Sequence, residues 1–351
     1  MVNACSQQPN LERGAGLAKH RAYKACAVLC IAFVLTVTAA ILGIMLGSTN
    51  VSFSDVIAVL TGGNPSSTPV ANIVKHIRLP RVEAALLAGA ALATSGCIIQ
   101  TVLANPLASP NVIGVNAGSG CAVLLVSSFL PGVAFVLPFA AFGGALLVAL
   151  IIFAVASYTG ASRMTIVLVG MAMTAICTAG MNTILIINPD AYVGASTFLV
   201  GGLAGVKIQD LVWPAMLIIP GIIIALLGTH ALNIVTAGDN VAASVGMNVR
   251  AVRLGMLALA ALLAGAAVSF AGMLGFVGLI IPHVVRLASG NDARFLIPTS
   301  IFLGAAFVTF CDLAARTMFA PYEIPVGILM AFVGGPFFIW LVIRKRGGNC
   351  A

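Results

Sequence analysis

The segment LLAGAALATSG at Leu86–Gly96 recurs with few changes 176 residues later, as LLAGAAVSFAG at Leu262–Gly272. Seven of the eleven positions are identical, including both glycines. Two apolar helices can resemble each other by chance, because small residues allow close helix packing in membranes. A second pair in register, FVLPFAAFGGA from Phe135 and FLIPTSIFLGA from Phe295, favours a true internal repeat.

The composition indicates a membrane protein. Of 351 residues, 61% are hydrophobic and only 7% are charged, whereas soluble domains carry roughly a quarter charged residues. A bilayer core requires about 20 apolar residues per helical span, and such runs follow one another along the chain. We predict an all-α polytopic protein of about ten spans, with nine or eleven as alternatives because the third segment is polar and the eighth is short. The predicted spans are residues 26–47, 82–104, 112–130, 133–157, 164–187, 211–233, 253–274, 276–288, 295–318 and 325–343.

The basic residues predict the orientation of the chain. Lys and Arg cluster at 13–24 and 344–346, and short basic segments stay in the cytoplasm. Residues 1–25 and 344–351 are thus predicted to be cytoplasmic tails of one transmembrane domain at 26–343. The repeats begin five spans apart, an odd number, so spans 2–5 and 7–10 form an inverted repeat, as in many transporters. The net charge of +8 fits this topology and gives no reason to expect a nucleic-acid partner.

The ionisable residues narrow the classes of function. An ion-coupled carrier usually keeps carboxylates within its spans, but all nine acidic residues fall in loops or near span ends. An intramembrane enzyme needs a nucleophile with a base or a set of metal ligands, yet the four histidines lack ligand spacing. We therefore expect no catalytic residue and no metal. The chain has no GxxxxGKS or GxxxxGKT phosphate loop, so ATP-driven transport would need a separate ATPase subunit.

Three stretches carry the most specific patterns. They are RLPRVEAALLAGAALATSGCIIQTVLANPLASPNVIGVNAGSG at Arg78–Gly120, GFVGLIIPHVVRLASGNDARFLIP at Gly275–Pro298, and DLAARTMFAPYEIPVGILMAFVGGPFFIWLV at Asp312–Val342. In this order they resemble the signature segments of the FecCD family, and the likeness runs from about Leu60 to the C-terminus. Members of that family are permease subunits of bacterial ABC importers for iron-siderophores, haem and cobalamin.

This resemblance implies a transporter built from several subunits. The implied partners are a second copy of the chain or a related permease, with the pathway at their interface, two ATP-binding cassette subunits, an extracytoplasmic substrate-binding protein, and membrane lipid. No cofactor is expected on this chain. ATP and Mg would be used by the partner ATPase. The implied location is the bacterial inner membrane. A ferric siderophore is the first expectation for the cargo, with haem or cobalamin possible, and an ion-coupled secondary transporter is the alternative function.

Three arginines are implied to dock the binding protein. Arg78 and Arg81 belong to the RLPR motif before span two, and Arg316 lies at the end of span nine. In similar permeases, arginines at these positions pair with carboxylates of the binding protein. Their predicted outer location departs from the positive-inside rule, which favours a functional role. The alternatives are anchoring to lipid headgroups or, for Arg316, an ion pair with Asp312 four residues earlier.

The loop at 236–252 resembles the family's coupling segment, two short helices that sit in a groove of the ATPase. We expect Asp239 to cap the first helix, small residues to allow close approach, and Gly246 to end it. The alternative is an ordinary cytoplasmic loop. The predicted contact residues are Gly238, Asp239, Ala242, Ala243 and Gly246.

A last set of residues is predicted to shape the pathway or to break helices. Glycine recurs every third residue at 272, 275 and 278, which permits close packing or irregular backbone, and Pro282 should then break the helix. Gln100 either faces the pathway or bonds to another helix, and a structural hydrogen bond is favoured for His283 over catalysis. The full set is Gln100, Asn105, Pro106, Gly272, Gly275, Gly278, Pro282 and His283.

Overall fold

The computed structural model describes residues 8–47, 51–61, 63, 67–160, 162–320 and 322–347, and this part of the chain is helical without strands. A π-helical turn lies at Val74–Arg78 and a 3₁₀ turn at Ala134–Val136. The α-helices are α1 (Gln8–Met45), α2 (Phe53–Thr61), α3 (Thr68–Ile73), α4 (Leu79–Val102), α5 (Val115–Phe129), α6 (Leu137–Tyr158), α7 (Arg163–Ile187), α8 (Ala191–Val200), α9 (Ile208–Leu227), α10 (Thr229–Thr236), α11 (Asp239–Ser244), α12 (Val249–Ala271), α13 (Val277–Ser289), α14 (Ala293–Thr317) and α15 (Val326–Gly347).

The predicted spans all correspond to helices. Within the described residues, seven helical segments are long and apolar enough to cross a membrane: those of α1, α3–α4, α6, α7, α9, α12 and α14. The predicted third and eighth spans are α5 and α13, which are shorter, as is the apolar part of α15. The short helices α2, α3 and α8 were not among the predicted spans.

The predicted N-terminal tail is largely helical. Helix α1 begins at Gln8, so most of residues 1–25 continue directly into the first span. The remainder of this tail, residues 1–7, lies outside the described residues, as do 348–351 of the predicted C-terminal tail.

The two copies of the repeated helix, α4 and α12, pack against each other in opposite directions. Arg81 of α4 and Ser269 of α12 line the same cavity. Further along, the Ser95 hydroxyl donates to the Ala260 carbonyl at 2.6 Å. Residue numbers therefore rise along α4 while they fall along α12. This antiparallel arrangement is the one that an inverted repeat requires.

Small residues pack each copy onto the opposite half of the molecule. A Cβ atom on Gly89 of α4 would lie 2.2 Å from the carbonyl oxygen of Gly304 and 2.9 Å from Cα of Ala305, both in α14. The repeat mate of Gly89 is Gly265 of α12, where a Cβ would lie 3.0 Å from that of Ala145 in α6. Ala145 and Ala305 occupy matching positions in the second repeated segment. Helix α4 of the first repeat thus contacts α14 of the second, and α12 of the second contacts α6 of the first. A twofold pseudosymmetry axis between the repeats would produce this pair of contacts.

The link between α12 and α13 is irregular backbone. It begins at Gly272, with φ of 71°, and ends at Phe276, with φ of 66°. A Cβ atom on Gly272 would lie 2.5 Å from the carbonyl oxygen of Phe198, so this position combines a left-handed conformation with a close approach. The helical path of the second repeat is therefore interrupted before α13 begins.

Three helix ends meet around this link, and we call them the helix-end junction: residues 198–202, 271–276 and 324–327. Irregular backbone inside a membrane protein must be hydrogen-bonded by neighbouring protein. The bonds run from the Gly202 N–H to the Ala271 carbonyl, from Met273 to Phe198 and from Gly327 to Gly201, each at 3.0 Å. The ends of α8, α12 and α15 thus form one connected unit.

Candidate docking, coupling and pathway sites

The three predicted docking arginines lie together at one end of the molecule. Arg78 ends the π-helical turn, Arg81 lies in the first turn of α4, and Arg316 lies in the last turn of α14. Only 4%, 6% and 5% of their respective surfaces are exposed. Buried charges require partners, and these arginines find them within the chain.

Two of the arginines bind the end of α1. Arg78 Nη1 donates to the carbonyls of Ile44 at 2.8 Å and Met45 at 2.7 Å. Arg316 Nη2 donates to the carbonyl of Gly43. The last carbonyls of a helix lack intrahelical donors, and cations near them interact favourably with the helix dipole. The arginines therefore fasten α1 to α4 and α14.

Arg81 is shared by two carboxylates. Its Nε lies 3.0 and 3.1 Å from the carboxylate oxygens of Asp312, and its Nη1 lies 2.6 Å from Oε2 of Glu323. Arg316 Nε lies 3.8 Å from Asp312, which is the ion pair given above as the alternative role of Arg316. We call Arg81, Asp312, Arg316 and Glu323 the arginine–carboxylate cluster.

The burial of this cluster bears on docking. The side chain of Asp312 is 2% exposed, whereas that of Glu323 is 46% exposed. The buried arginines are thus not presented on the surface, and the charged group that reaches solvent beside them is Glu323. Docking by the arginines stays a prediction, and a partner's carboxylate would have to approach along the edge that Glu323 occupies.

A cavity of about 400 Å³ adjoins the cluster. Its wall includes Arg81, Asp210, Ser269, Glu323 and the segment 202–206. Residues of the helix-end junction contribute to the same wall. Cluster, cavity and junction are therefore contiguous at this end of the molecule.

The predicted coupling segment lies at the other end of α12. Helix α12 has 23 residues, which at 1.5 Å per residue separates the two ends by about 34 Å. The first of the two predicted short helices is α11. The second does not form, because Asn248 caps α12 by accepting from the Ala251 N–H at 3.1 Å and the long helix begins at Val249. The other short helix at this end, α10, precedes the predicted loop.

The prediction that Asp239 caps α11 was wrong. Gly238, with φ of 112°, is the N-cap, and no side chain caps the helix. Asp239 instead accepts hydrogen bonds from Arg163 at 2.7 Å and from Arg253 at 2.8 Å. Charge-assisted bonds to guanidinium groups are stronger than a bond to a backbone N–H. The carboxylate therefore joins the starts of α7, α11 and α12.

These contacts also set the charge of Asp239. The hydrogen bond from Arg253, supported by the positive charge of Arg163, lowers the pKa of the Asp239 carboxyl below its ordinary value. The carboxylate is consequently ionised at neutral pH, so both ion pairs are present under physiological conditions.

Helix α11 exposes an apolar surface. Val241 and Val245 are 50% and 63% exposed, and Ala243 is exposed between them. Ala242, in contrast, is fully buried against its own chain, so it lies beneath the expected contact surface. Gly246, with φ of 80°, follows the end of the helix as predicted.

The prediction that Pro282 breaks a helix was also wrong. Helix α13 continues through Pro282 from Val277 to Ser289. Proline has no N–H for the carbonyl four residues earlier, that of Gly278. Gln100 Nε2 of α4 donates to this carbonyl and to that of Leu279, both at 3.2 Å. A neighbouring helix thus supplies the donor that proline lacks, so the helix stays intact.

This bond depends on a close approach of two glycines. A Cβ atom on Gly96 would lie 1.9 Å from the carbonyl oxygen of Gly278. Gln100 itself is 2% exposed, so of its two proposed roles the structure has the interhelical hydrogen bond. A Cβ atom on Gly275 would lie 3.7 Å from Nδ2 of Asn111. Gly275 itself lies within the irregular link between α12 and α13 and not in a helix.

The remaining predicted residues lie around α4 and α13. Asn105 and Pro106 occupy the irregular segment after α4, where Asn105 Oδ1 accepts from the Leu107 N–H at 3.0 Å. His283 is half-buried on α13. Among the described residues, no group of three or more His, Cys, Asp or Glu side chains is arranged to hold a metal ion.

Sequence reasoning gave one partner of the predicted residues, Asp312 for Arg316, and missed the others. The spacing of Asp312 and Arg316 was a usable signal, because residues four apart share a helix face. Two other ion pairs, Arg81–Glu323 and Arg163–Asp239, join segments that are far apart in the sequence. No local spacing of residues predicts such pairs.

Comparisons with known proteins cover nearly the whole chain. The FecCD transport family matches residues 34–344. The iron(3+)-hydroxamate import system permease protein FhuB of Bacillus subtilis (strain 168) is 37% identical over 331 residues, which span 93% of this chain and 86% of that protein. The hemin transport system permease protein HmuU of Yersinia pestis is 36% identical over 285 residues, 77% of this chain and 83% of its own length. A solved chain described as an inward-facing metal-chelate type ABC transporter covers 91% of this chain and 99% of its own, with a TM-score of 0.81 and 25% identity. The chain therefore belongs to the FecCD transport family.

Proposed function

We propose that the chain is the transmembrane permease subunit of an ATP-driven importer for a bulky iron chelate. The observation that carries this proposal is the family match over residues 34–344. The two named relatives are permease proteins of a hydroxamate import system and a hemin transport system. A ferric siderophore is the first candidate cargo, with haem or cobalamin as alternatives.

Two ATP-binding cassette subunits bind at the α11 end and use ATP and Mg. The exposed side chains of Val241 and Val245 suit insertion into an apolar groove of such a subunit. The ion pairs of Asp239 support transmission, because they join α11 to the long helices α7 and α12. A movement of the ATPase would then displace these helices as a unit.

A second copy of the chain, or a related permease, covers one face of α7. Met171, Thr178 and Asn182 are exposed along this face, at spacings that bring them to one side of the helix. A carboxamide turned toward lipid tails is unfavourable, so the face suits a protein interface or a hydrated pathway. We place the pathway between the two copies.

The substrate-binding protein docks at the end that carries the arginine–carboxylate cluster. This end is extracytoplasmic in the bacterial inner membrane, and both termini are cytoplasmic. The direction of α1 supports this orientation, since its last carbonyls contact Arg78 and its start therefore points away from the cluster.

Reconstitution tests the proposal. The chain is purified with its ATPase subunits, inserted into liposomes, and supplied with binding protein carrying a radiolabelled ferric hydroxamate. We expect uptake that requires ATP and ceases when the ATPase subunit is made unable to hydrolyse ATP. A protonophore should leave it unchanged.

The alternative is an ion-coupled secondary transporter. Uptake by the chain without ATPase, collapsing with the proton gradient, would support it and refute the importer. The geometry gives it little support, because the one buried carboxylate in the described part of the chain, Asp312, is already paired with Arg81 and Arg316.

A further inference from the structure

The two carboxylates on Arg81 are held very differently. Asp312 lies within α14, is 2% exposed, and contacts both Arg81 and Arg316. Glu323 lies on the non-helical link that follows α14, is 46% exposed, and has one ion pair, with Arg81 at 2.6 Å. Because Asp312 is fixed by its helix and Glu323 is reached by water, only Glu323 can leave without exposing the buried core.

The charge balance around Arg81 favours a second carboxylate. Three buried arginines, at 78, 81 and 316, lie at this end, and Asp312 is the one buried carboxylate in the part of the chain that the structure describes. Departure of Glu323 would leave Nη1 of Arg81 without its acceptor, close to the positive charges of Arg78 and Arg316. Such a site binds an incoming carboxylate well, because guanidinium and carboxylate form charge-assisted hydrogen bonds.

We infer that Glu323 is the chain's own occupant of the docking position on Arg81, and that a carboxylate of the substrate-binding protein displaces it. The inference rests on the proposed function and adds the group with which the partner competes. The apparent affinity for the partner is then reduced by the fraction of chains in which Glu323 is in place.

Displacement of Glu323 affects the wall of the cavity beside the cluster. The neighbouring Ile324 N–H donates to the Ala315 carbonyl at 3.2 Å, and both Glu323 and Ile324 line the cavity beside the cluster. Three residues after Ile324, the Gly327 N–H donates to the Gly201 carbonyl within the helix-end junction. When Glu323 leaves Arg81, the link between α14 and α15 loses the ion pair that holds it to α4 at the cavity wall. Docking therefore loosens this cavity wall.

The variant Glu323→Gln tests the competition. The permease–ATPase complex is placed in lipid nanodiscs, and its affinity is measured for the substrate-binding protein that stimulates its ATP hydrolysis. We expect Glu323→Gln to bind this protein about two- to fivefold more tightly than wild type, the effect of removing a partly exposed competing ion pair.

Glu83→Gln is the matched control. Glu83 is an exposed carboxylate two residues from Arg81 and makes no ion pair within the described residues, so the substitution changes net charge equally. Its affinity should equal that of wild type. Equal affinities for all three proteins, or weaker binding by Glu323→Gln, would overturn the inference. Absence of any binding by wild type would instead refute the proposed function.

A second measurement needs no partner. Hydrogen exchange of the amides at 322–324 should be faster in Glu323→Gln than in wild type or Glu83→Gln, because the link has lost its ion pair with Arg81. Equal exchange rates in the three complexes would mean that the ion pair does not hold the link, and would also overturn the inference.

Discussion

Replacement of Gln100 by methionine tests whether a side chain completes the backbone of α13. Methionine has a similar length and cannot donate a hydrogen bond, so the Gly278 carbonyl beside Pro282 loses its donor. An unpaired buried carbonyl costs about 1–3 kcal/mol. The Oε1 atom of Gln100 is itself buried and without a hydrogen-bond partner in the described part of the chain, so its removal recovers part of that cost. We expect a net loss of about 1–2 kcal/mol in the free energy of unfolding.

The second substitution, Pro282→Ala, makes this prediction specific. Alanine restores an N–H that can bond to the Gly278 carbonyl within the helix, so Gln100→Met should then cost close to nothing. The expected coupling energy between the two sites is about 1–2 kcal/mol. It is measured by SDS-induced unfolding of the four proteins in mixed micelles, followed by tryptophan fluorescence. An equal cost of Gln100→Met in both backgrounds would refute the reasoning.

Three further substitutions test other parts of the structure. Asp312→Asn should lower the unfolding free energy by about 3–5 kcal/mol, because it removes the buried anion that Arg81 and Arg316 share and leaves Arg81 with Glu323 alone; unchanged thermal stability in detergent would contradict the role of the cluster. Asp239→Asn should reduce the uptake per ATP hydrolysed in proteoliposomes, since α7, α11 and α12 lose their shared anion. Because the folded-state pKa of Asp239 is lowered, its contribution is present above the ordinary aspartate pKa and is lost as pH falls through the folded value. The stability difference from Asp239→Asn should thus be constant from about pH 5 to 8 and shrink in stronger acid. Gly89→Ala should destabilise by roughly 1–3 kcal/mol, because its Cβ would lie 2.2 Å from the Gly304 carbonyl oxygen. Gly143→Ala, whose Cβ would meet nothing within 4 Å, is the control and should be neutral or slightly stabilising.

Features that depend on composition and period could be predicted from the sequence. Apolar runs of about 20 residues identify spans because the bilayer sets their length. The repeat predicted the inverted halves, since matching helices five spans apart must face opposite ways. Helix α8, with ten residues, could not be recognised in this manner, because it is too short for a span and lies between two of them.

Local rules failed where a distant residue supplied a better partner. Proline usually ends a helix, but Gln100 from another helix replaces the missing donor of Pro282. Aspartate before a helix usually caps it, but two arginines from other helices bind Asp239 instead. The candidate docking residues lie together at one end of the molecule, while their burial depends on Asp312 and Glu323, whose contacts arise only on folding.

The contact between Gly89 and Gly304 has a mechanical consequence. Two backbones that touch have no side-chain layer between them to compress, so α4 and α14 are poorly able to absorb a displacement by sliding. Helix α12 packs on α4 and is about 34 Å long, so a tilt of about 5° at its coupling end would displace its far end by about 3 Å. Ser269 near that far end lines the cavity beside Arg81 and Glu323. Glycine at a few positions thus stiffens this part of the protein, so that a small rotation at the coupling end of α12 is passed on to the cavity at its other end.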